Sequence, residues 1–144
     1  MIKKITLLLN ALMLVSLIYS QIPNQTDQKI VDSLCLLLPE AEGNAKVDIL
    51  NQLALNLAPR SYDSSYQFAS EALNLSKELD YQKGHGIAVF NLGNSHYFSS
   101  DYVKSISDYL KALKLLESFE PCEEVGDLLI QLGALNLYIR NTEM

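Results

Sequence analysis

The sequence predicts an all-α protein, an array of antiparallel helical hairpins, and three observations lead there. No run alternates apolar and polar residues in the manner of a half-buried strand. Short words of sequence return at an interval of about forty residues, the mark of a repeat architecture. Within each interval the apolar residues recur at three- and four-residue spacing, on one face of a helix of 3.6 residues per turn. Apolar residues make up 49% of the 144 and charged residues 19%, so the chain has enough to bury to form a core.

Residues 1–20 stand apart. Lys3 and Lys4 precede an apolar run from Ile5 to Tyr19, broken only by Thr6, Asn10 and Ser16, and small Ser20 follows before Gln21. Charged, apolar and small residues in that order predict a secretory signal peptide cut between Ser20 and Gln21. An uncleaved anchor is the weaker reading, because a spanning helix needs about 20 apolar residues. No cysteine lies near the cut, which argues against a lipid anchor. Removing the segment leaves nine basic and seventeen acidic side chains, formally −8. Nucleic-acid phosphates require a basic footprint, so nucleic acid is excluded as a partner of this segment.

Residues 21–43 form a covering helix and linker. Ile30, Val31, Leu34, Leu37 and Leu38 are spaced for one helix face that ends at Pro39, and terminal repeats of an array need such a cover. Cys35 in this helix is expected to be a small buried residue, and Cys122 to lie in a loop or at a helix start. The two fall in different layers, so a bridge between them is not expected.

The repeats occupy residues 44–144, as units of about 44–81 and 82–121 and an incomplete 122–144. Asn91-Leu92-Gly93 returns forty residues on as Gln131-Leu132-Gly133, and thirty-nine residues earlier stands Gln52-Leu53-Ala54. Ala72-Leu73 matches Ala112-Leu113, Leu75 matches Leu115, Ser65 matches Ser105 and Asp80 matches Glu120. The missing residue falls between Ala58 and Ser64, where Pro59 and a polar stretch predict a turn. In the second unit Val89, Leu92, Gly93, His96 and Tyr97 share one helix face, as do Ile106, Tyr109, Leu110, Leu113 and Leu116 in the next helix, which Asp101 is placed to cap. Helices about 8 to 10 Å apart need small residues wherever their backbones come close. Ala54, Gly93 and Gly133 are assigned that role on the first helix of each unit, and Ser65, Ala72, Ser105 and Ala112 on the second.

The stretch "VFNLGNSHYFSSDYVKSISDYLKAL", residues 89–113, resembles the tetratricopeptide repeat, with its Leu-Gly or Leu-Ala pair and aromatic in the first helix and small–aromatic–small pattern in the second. The resemblance covers residues 46 to about 140. It departs from the family where tryptophan is usual, at Leu50, Val89 and Leu129, at Ala69 in place of an aromatic, and at Lys77 and Glu117 in place of the closing proline. It implies a right-handed superhelix whose first helices line a groove for a protein or peptide ligand. By matching positions, Asn51, Leu55, Phe90, Asn94, Tyr97, Ile130, Ala134 and Leu137 would face that groove, Asn94 bonding a partner's backbone and Phe90 and Tyr97 offering apolar contact. For any one of them, packing against a neighbouring repeat is an equal reading. At the sites where some members clamp acidic C-terminal peptides stand Asn51, Leu55, Asn91, Asp127 and Gln131. Only Asn91 fits, so that ligand class is not expected. The forty-residue unit resembles exported arrays of bacterial signalling proteins of the sensor histidine kinase type, which places the chain in the periplasm or cell envelope, with secretion an alternative.

Residues 123–140 are apolar on more than one side. A closing helix is expected to present a polar outer face, so this reads as the front of a longer protein with a downstream span, or as a surface for self-association. Catalysis needs convergent groups. His85 and His96 are eleven residues apart, about 16 Å along a helix, too far for one metal ion. His96 reads as a satisfied core histidine and His85 as a surface residue. "KGHG" at residues 83–86 lacks the strand and the Lys-Ser or Lys-Thr of a phosphate loop. The acidic run Glu120, Glu123, Glu124 and Asp127 reads as a helix N-terminus offset by carboxylates. Neither metal nor cofactor is implied, and the expected function is non-catalytic binding of a protein or peptide. The alternatives are a self-contained scaffold that oligomerises and a small helical carrier of an apolar ligand held near Phe90 and Tyr97.

Overall fold

The computed structural model describes residues 28–119 and 123–142, and every regular element among them is helical. Residues 1–20, read above as a signal peptide, and Glu120 and Cys122 lie outside the described residues. Residues 28–37 form α1, which tightens into a 3-10 turn at Leu38–Glu40 where Pro39 enters. Then follow α2 (Gly43–Leu57), α3 (Tyr62–Glu78), α4 (Gln82–Phe98), α5 (Tyr102–Leu116) and α6 (Glu123–Thr142). No helix among the described residues is long and apolar enough to cross a membrane.

The turns explain where the helices stop. Leu79–Tyr81 and Ser99–Asp101 close in the same way. Tyr81 N–H bonds Ser76 O at 2.8 Å and Asp101 N–H bonds His96 O at 2.8 Å, with Asp80 (φ 52°) and Ser100 (φ 65°) in the left-handed region. That is the helix-ending motif glycine usually serves, here made by residues that bear its steric cost. The α2–α3 turn differs: Pro59 follows the helix, and both Arg60 and Ser61 N–H bond Leu57 O. Thus α2 ends early, which accounts for the shortened first interval. Ser61 and Asp101 cap α3 and α5 by accepting from Ser64 N–H and Lys104 N–H, satisfying otherwise orphaned donors.

Each helix from α2 to α6 packs on the next, and α4 also touches α2 and α6. α4 and α5 run antiparallel: stepping back along α4 from Tyr97 through Gly93 to Gly86, the partner advances from Tyr102 through Tyr109 to Leu116. With neighbours on so many sides, α4 buries Gly84, Gly86, Ala88, Val89, Phe90, Asn91, Gly93, Asn94 and Ser95. A helix that is small or apolar around its circumference is a buried one. A Cβ on Gly93 would lie 2.5 Å from Tyr109 Cδ1, and one on Gly86 would lie 2.6 Å from Leu116 Cδ2. Both glycines, seven residues apart, let α5 approach. A Cβ on Gly84 would lie 2.7 Å from Val47 Cγ1 on α2. Gly84 and Gly86, read from sequence only as part of a rejected phosphate loop, are thus close-contact positions.

The assigned small residues Ala54, Ser65, Ala72, Gly93, Ser105 and Ala112 are all buried. Gly133 corrects the expectation: it is exposed, with nothing within 4 Å of a built Cβ, because no described element lies against that face of α6. α6 instead buries Leu128 and Leu135 against the core formed by Val89, Phe90, Tyr109, Ala112 and Leu116. At the other end α1 inserts Val31 and Leu34 beside Leu53. That buried stripe is narrow, so Ile30, Leu36 and Leu37 stay exposed, and Cys35, expected to be buried, is exposed and unpaired.

A polar seam joins α2, α3 and α4. Ser65 Oγ donates to Ala54 O at 2.7 Å, Ser95 Oγ donates to Asn91 O at 3.0 Å, and the two hydroxyls are 2.8 Å apart. Two protons serve three contacts, so the hydroxyls share them in turn. Forty residues on, Leu135 stands where Ser95 would be matched, and the buried Ser105 Oγ has no partner. Across the second hairpin, His96 Nδ1 lies 2.9 Å from Asp108 Oδ2, so this half-buried histidine is satisfied by a carboxylate.

Two paired substitutions test this packing by urea denaturation. Gly93→Leu should destabilise by about 1–3 kcal/mol through overpacking, and Gly93→Ala should also lose stability, while Gly133→Ala, meeting open space, should gain up to about 1 kcal/mol of helix propensity. Equal effects at both glycines would refute the contact with Tyr109. Ser65→Ala should cost about 1–3 kcal/mol by orphaning its partners, whereas Ser105→Ala should be neutral or stabilising.

Candidate functional site

α2 and α4, the first helices of the two hairpins, line a cavity of about 280 Å³ together with α6. From α2 come Asp48, Asn51, Gln52 and Leu55, with Asn51 and Gln52 each three or four residues from Asp48 and Leu55 and therefore on the same side of the helix. α4 supplies Lys83, Ile87, Phe90 and Asn91, with Tyr81 in the turn before it, and α6 supplies Glu124 and Asp127.

The floor is built from two asparagines. Asn51 and Asn91 are 4% and 0% exposed. Asn51 Nδ2 donates to Gly84 O at 3.0 Å, and Asn91 Nδ2 donates to Asn51 O at 3.0 Å and Asn51 Oδ1 at 3.2 Å. Gly84 makes this link possible, since its lack of a side chain brings α4 against α2. Both amides are thereby bonded within the protein, but Asn91 Oδ1 is buried with no partner. Low local dielectric makes the satisfied bonds strong and the unpartnered acceptor costly.

The walls are acidic. Among the described residues that line the cavity are Asp48, Glu124 and Asp127 and one basic residue, Lys83. Tyr81 Oη donates to Asp48 Oδ1 at 3.1 Å. Burial pushes the Tyr81 phenol above its ordinary value, and the bond to Asp48 and the charges of Asp48 and Glu124 push it further, so Tyr81 holds its proton at neutral pH. Among the described residues no three His, Cys, Asp or Glu side chains are grouped to hold a metal ion. Ile87 and Phe90 add an apolar wall, Phe90 resting on the Tyr109 ring at 5.7 Å between centroids.

Of the residues expected in a groove, the cavity brings together Asn51, Leu55 and Phe90. Asn94 is turned to the fold: it is buried, and its Oδ1 accepts from Tyr109 Oη at 2.7 Å, so it bonds the hairpin in place of a partner's backbone. Burial raises the Tyr109 pKa, keeping that phenol a donor. Tyr97 packs among rings, 5.3 Å from Phe98 and 5.8 Å from Tyr102. Ile130, Ala134 and Leu137 are exposed on α6 outside the cavity. Sequence reasoning missed Asp48 and Tyr81, met Lys83 only in the rejected phosphate loop, and read Glu124 and Asp127 as carboxylates that offset the positive end of a helix. The spacing of Asp48 to Asn51 and of Glu124 to Asp127, three residues each, was the available signal. The histidines stand elsewhere: His96 pairs with Asp108, and half-buried His85 has its pKa lowered by burial and by Lys77.

Replacing Asn51 by leucine should cost about 1–3 kcal/mol, by taking the donor from Gly84 O and one of the two acceptors from the Asn91 amide. Asn51→Leu with Asn91→Leu should lose less than the two singles combined, a coupling that a double-mutant cycle in urea would measure. Strict additivity would show that the pair does not act as a unit.

No protein-family model, curated protein or solved structure matches the chain.

Proposed function

We propose that the chain is a non-catalytic recognition module that holds an extended or helical segment of another protein along α2, α4 and α6, in a superhelical array of the tetratricopeptide kind. The observation that supports it best is the cavity itself, assembled from the first helices of consecutive hairpins with buried Asn51 and Asn91 at its base. Stacked repeats bind through surfaces of this type, because each repeat contributes the same helix to a continuous face. Leu55, 47% exposed beside the cavity, offers an apolar contact at its rim. In this reading the module is the exported front of a bacterial envelope signalling protein, brought to the periplasm by residues 1–20.

A second reading, a scaffold that self-associates, is favoured by α6, whose Leu129, Ile130, Leu137 and Tyr138 are 56%, 69%, 63% and 51% exposed. Adjacent exposed apolar side chains in such numbers mark an interaction surface. Carriage of an apolar ligand finds less support, because the cavity walls carry three carboxylates and an ammonium.

A random dodecapeptide library presented to the protein tests recognition. Bound peptides are expected, and Leu55→Asp should weaken them about tenfold, or about 1.4 kcal/mol, with an unchanged melting temperature. Leu110→Asp, at a site 54% exposed on α5 and away from the cavity, should leave binding intact. A library that yields no binder sinks the proposal. Under the scaffold reading, light scattering should show a concentration-dependent mass that Ile130→Lys abolishes.

A further inference from the structure

We propose that copies of this chain join end to end, α1 of one copy lying antiparallel along α6 of the next and completing with it a third hairpin. This rests on the self-association reading of α6 and goes further by naming the surface that meets it.

The register of the repeat comes first. Ser33-Leu34-Cys35-Leu36-Leu37 stands thirty-nine residues before Ala72-Leu73-Asn74-Leu75-Ser76 and seventy-nine before Ala112-Leu113-Lys114-Leu115-Leu116. Thirty-nine is also the interval from Ala54 to Gly93. By position α1 is therefore the second helix of a hairpin, with no first helix among the described residues. α6 is the opposite case. Its Gly126 and Gly133 follow Gly86 and Gly93 by forty residues, so it is a first helix with no second helix among the described residues.

The molecule itself shows how a second helix fills such a face. On α5, Tyr109, Ala112 and Leu116 are wholly buried, with Tyr109 over Gly93 and Leu116 over Gly86 of antiparallel α4. Nothing lies within 4 Å of a Cβ built on Gly126 or Gly133, and Leu129, Ile130 and Leu137, which match Val89, Phe90 and Tyr97, are exposed. The matching ridge is on α1. Ile30, Ser33 and Leu37 occupy the places of Tyr109, Ala112 and Leu116, and all three are exposed. Val31 and Leu34, on the adjacent face, hold α1 beside Leu53 of α2, so α1 can meet α6 without leaving its own fold. The stack would then run from α6 through α1 into the next copy's α2, continuing an interface already present in each copy.

The exchanged side chains are compatible. Tyr109 gives its proton to Asn94, but forty residues after Asn94 stands Ala134, which has no side-chain acceptor. Ile30 brings no hydroxyl to that place, so no donor is stranded. Ser33 Oγ already donates to Lys29 O at 2.8 Å. Leu129, Ile130 and Leu137 with Ile30, Leu36 and Leu37 would cover on the order of a few hundred Å² of apolar surface. That is less than the roughly 1,200 Å² at which stable interfaces begin, so the junction is weak and reversible. Because its two faces differ, it repeats from copy to copy as a ring or an open chain.

Two variants of the full chain, each blocked at one end, test the junction by sedimentation. Gly133→Lys fills the α6 face and Leu37→Lys charges the α1 face, both at exposed sites; Ile130→Lys and Ile30→Lys are the second pair should either melt early. The unsubstituted chain should gain mass with concentration, and each variant alone should stay monomeric. Mixed, the two should give a one-to-one complex of twice the chain's mass and nothing larger, since each supplies the face the other lacks. A Leu37→Lys chain that still pairs would mean that α6 meets α6, and a Gly133→Lys chain that still pairs would place the contact outside α6. Either result overturns the junction while self-association stands, as would two monomeric variants that fail to combine. An unsubstituted chain that stays monomeric at every concentration would remove the self-association reading, and this inference with it.

Discussion

The close approach of α4 to its neighbours is the constraint on which the rest depends. This helix meets α2, α3, α5 and α6, and it can do so only because its circumference is small. Gly93 and Gly86 admit Tyr109 and Leu116 from one side, and Gly84 admits Val47 from another. Glycine in a helix costs about 1 kcal/mol relative to alanine, a cost offset here by burying Tyr109 and Leu116 completely. The same closeness brings the Asn51 amide to Gly84 O. Packing and the polar floor of the cavity thus share one cause.

The two hairpins are not copies in their polar chemistry. In the first, Ser65 and Ser95 tie α2, α3 and α4 together through shared protons. In the second, the position matching Ser95 is Leu135, and the junction becomes apolar, with Ser105 left as an unpaired hydroxyl. Tyr109 compensates by bonding Asn94 within its own hairpin. Repeats keep the sizes that stacking demands and vary the atoms, because backbone clearance is set by volume while hydrogen bonds can be rearranged pair by pair.

A cavity is what this arrangement leaves open. The amides of Asn51 and Asn91 at its base hold α2 to α4, and carboxylates from α2 and α6 stand in its walls. The result is a recess with acidic walls beside apolar Leu55, Ile87 and Phe90. Recognition of a polypeptide segment is the use we propose for it.

Helical character, hairpin units of about forty residues, capping by Asp101 and the burial of Ala54, Ser65, Ala72, Gly93, Ser105 and Ala112 were all legible in the residues, because periodicity and small side chains are local facts that depend on spacing along one chain. Gly133 looked the same as Gly93 in sequence yet faces solvent, since a close-contact position has meaning only if a helix lies opposite. Leu110 and Cys35 are exposed for a related reason: which part of an apolar stripe is covered depends on the width of the neighbour. The inward turn of Asn94, the linked pair of Asn51 and Asn91, and the convergence of Asp48 with Asp127 required tertiary structure. Those residues are 40 to 79 positions apart or share a face with equally eligible side chains, and only the packing of three helices chooses which of them meet.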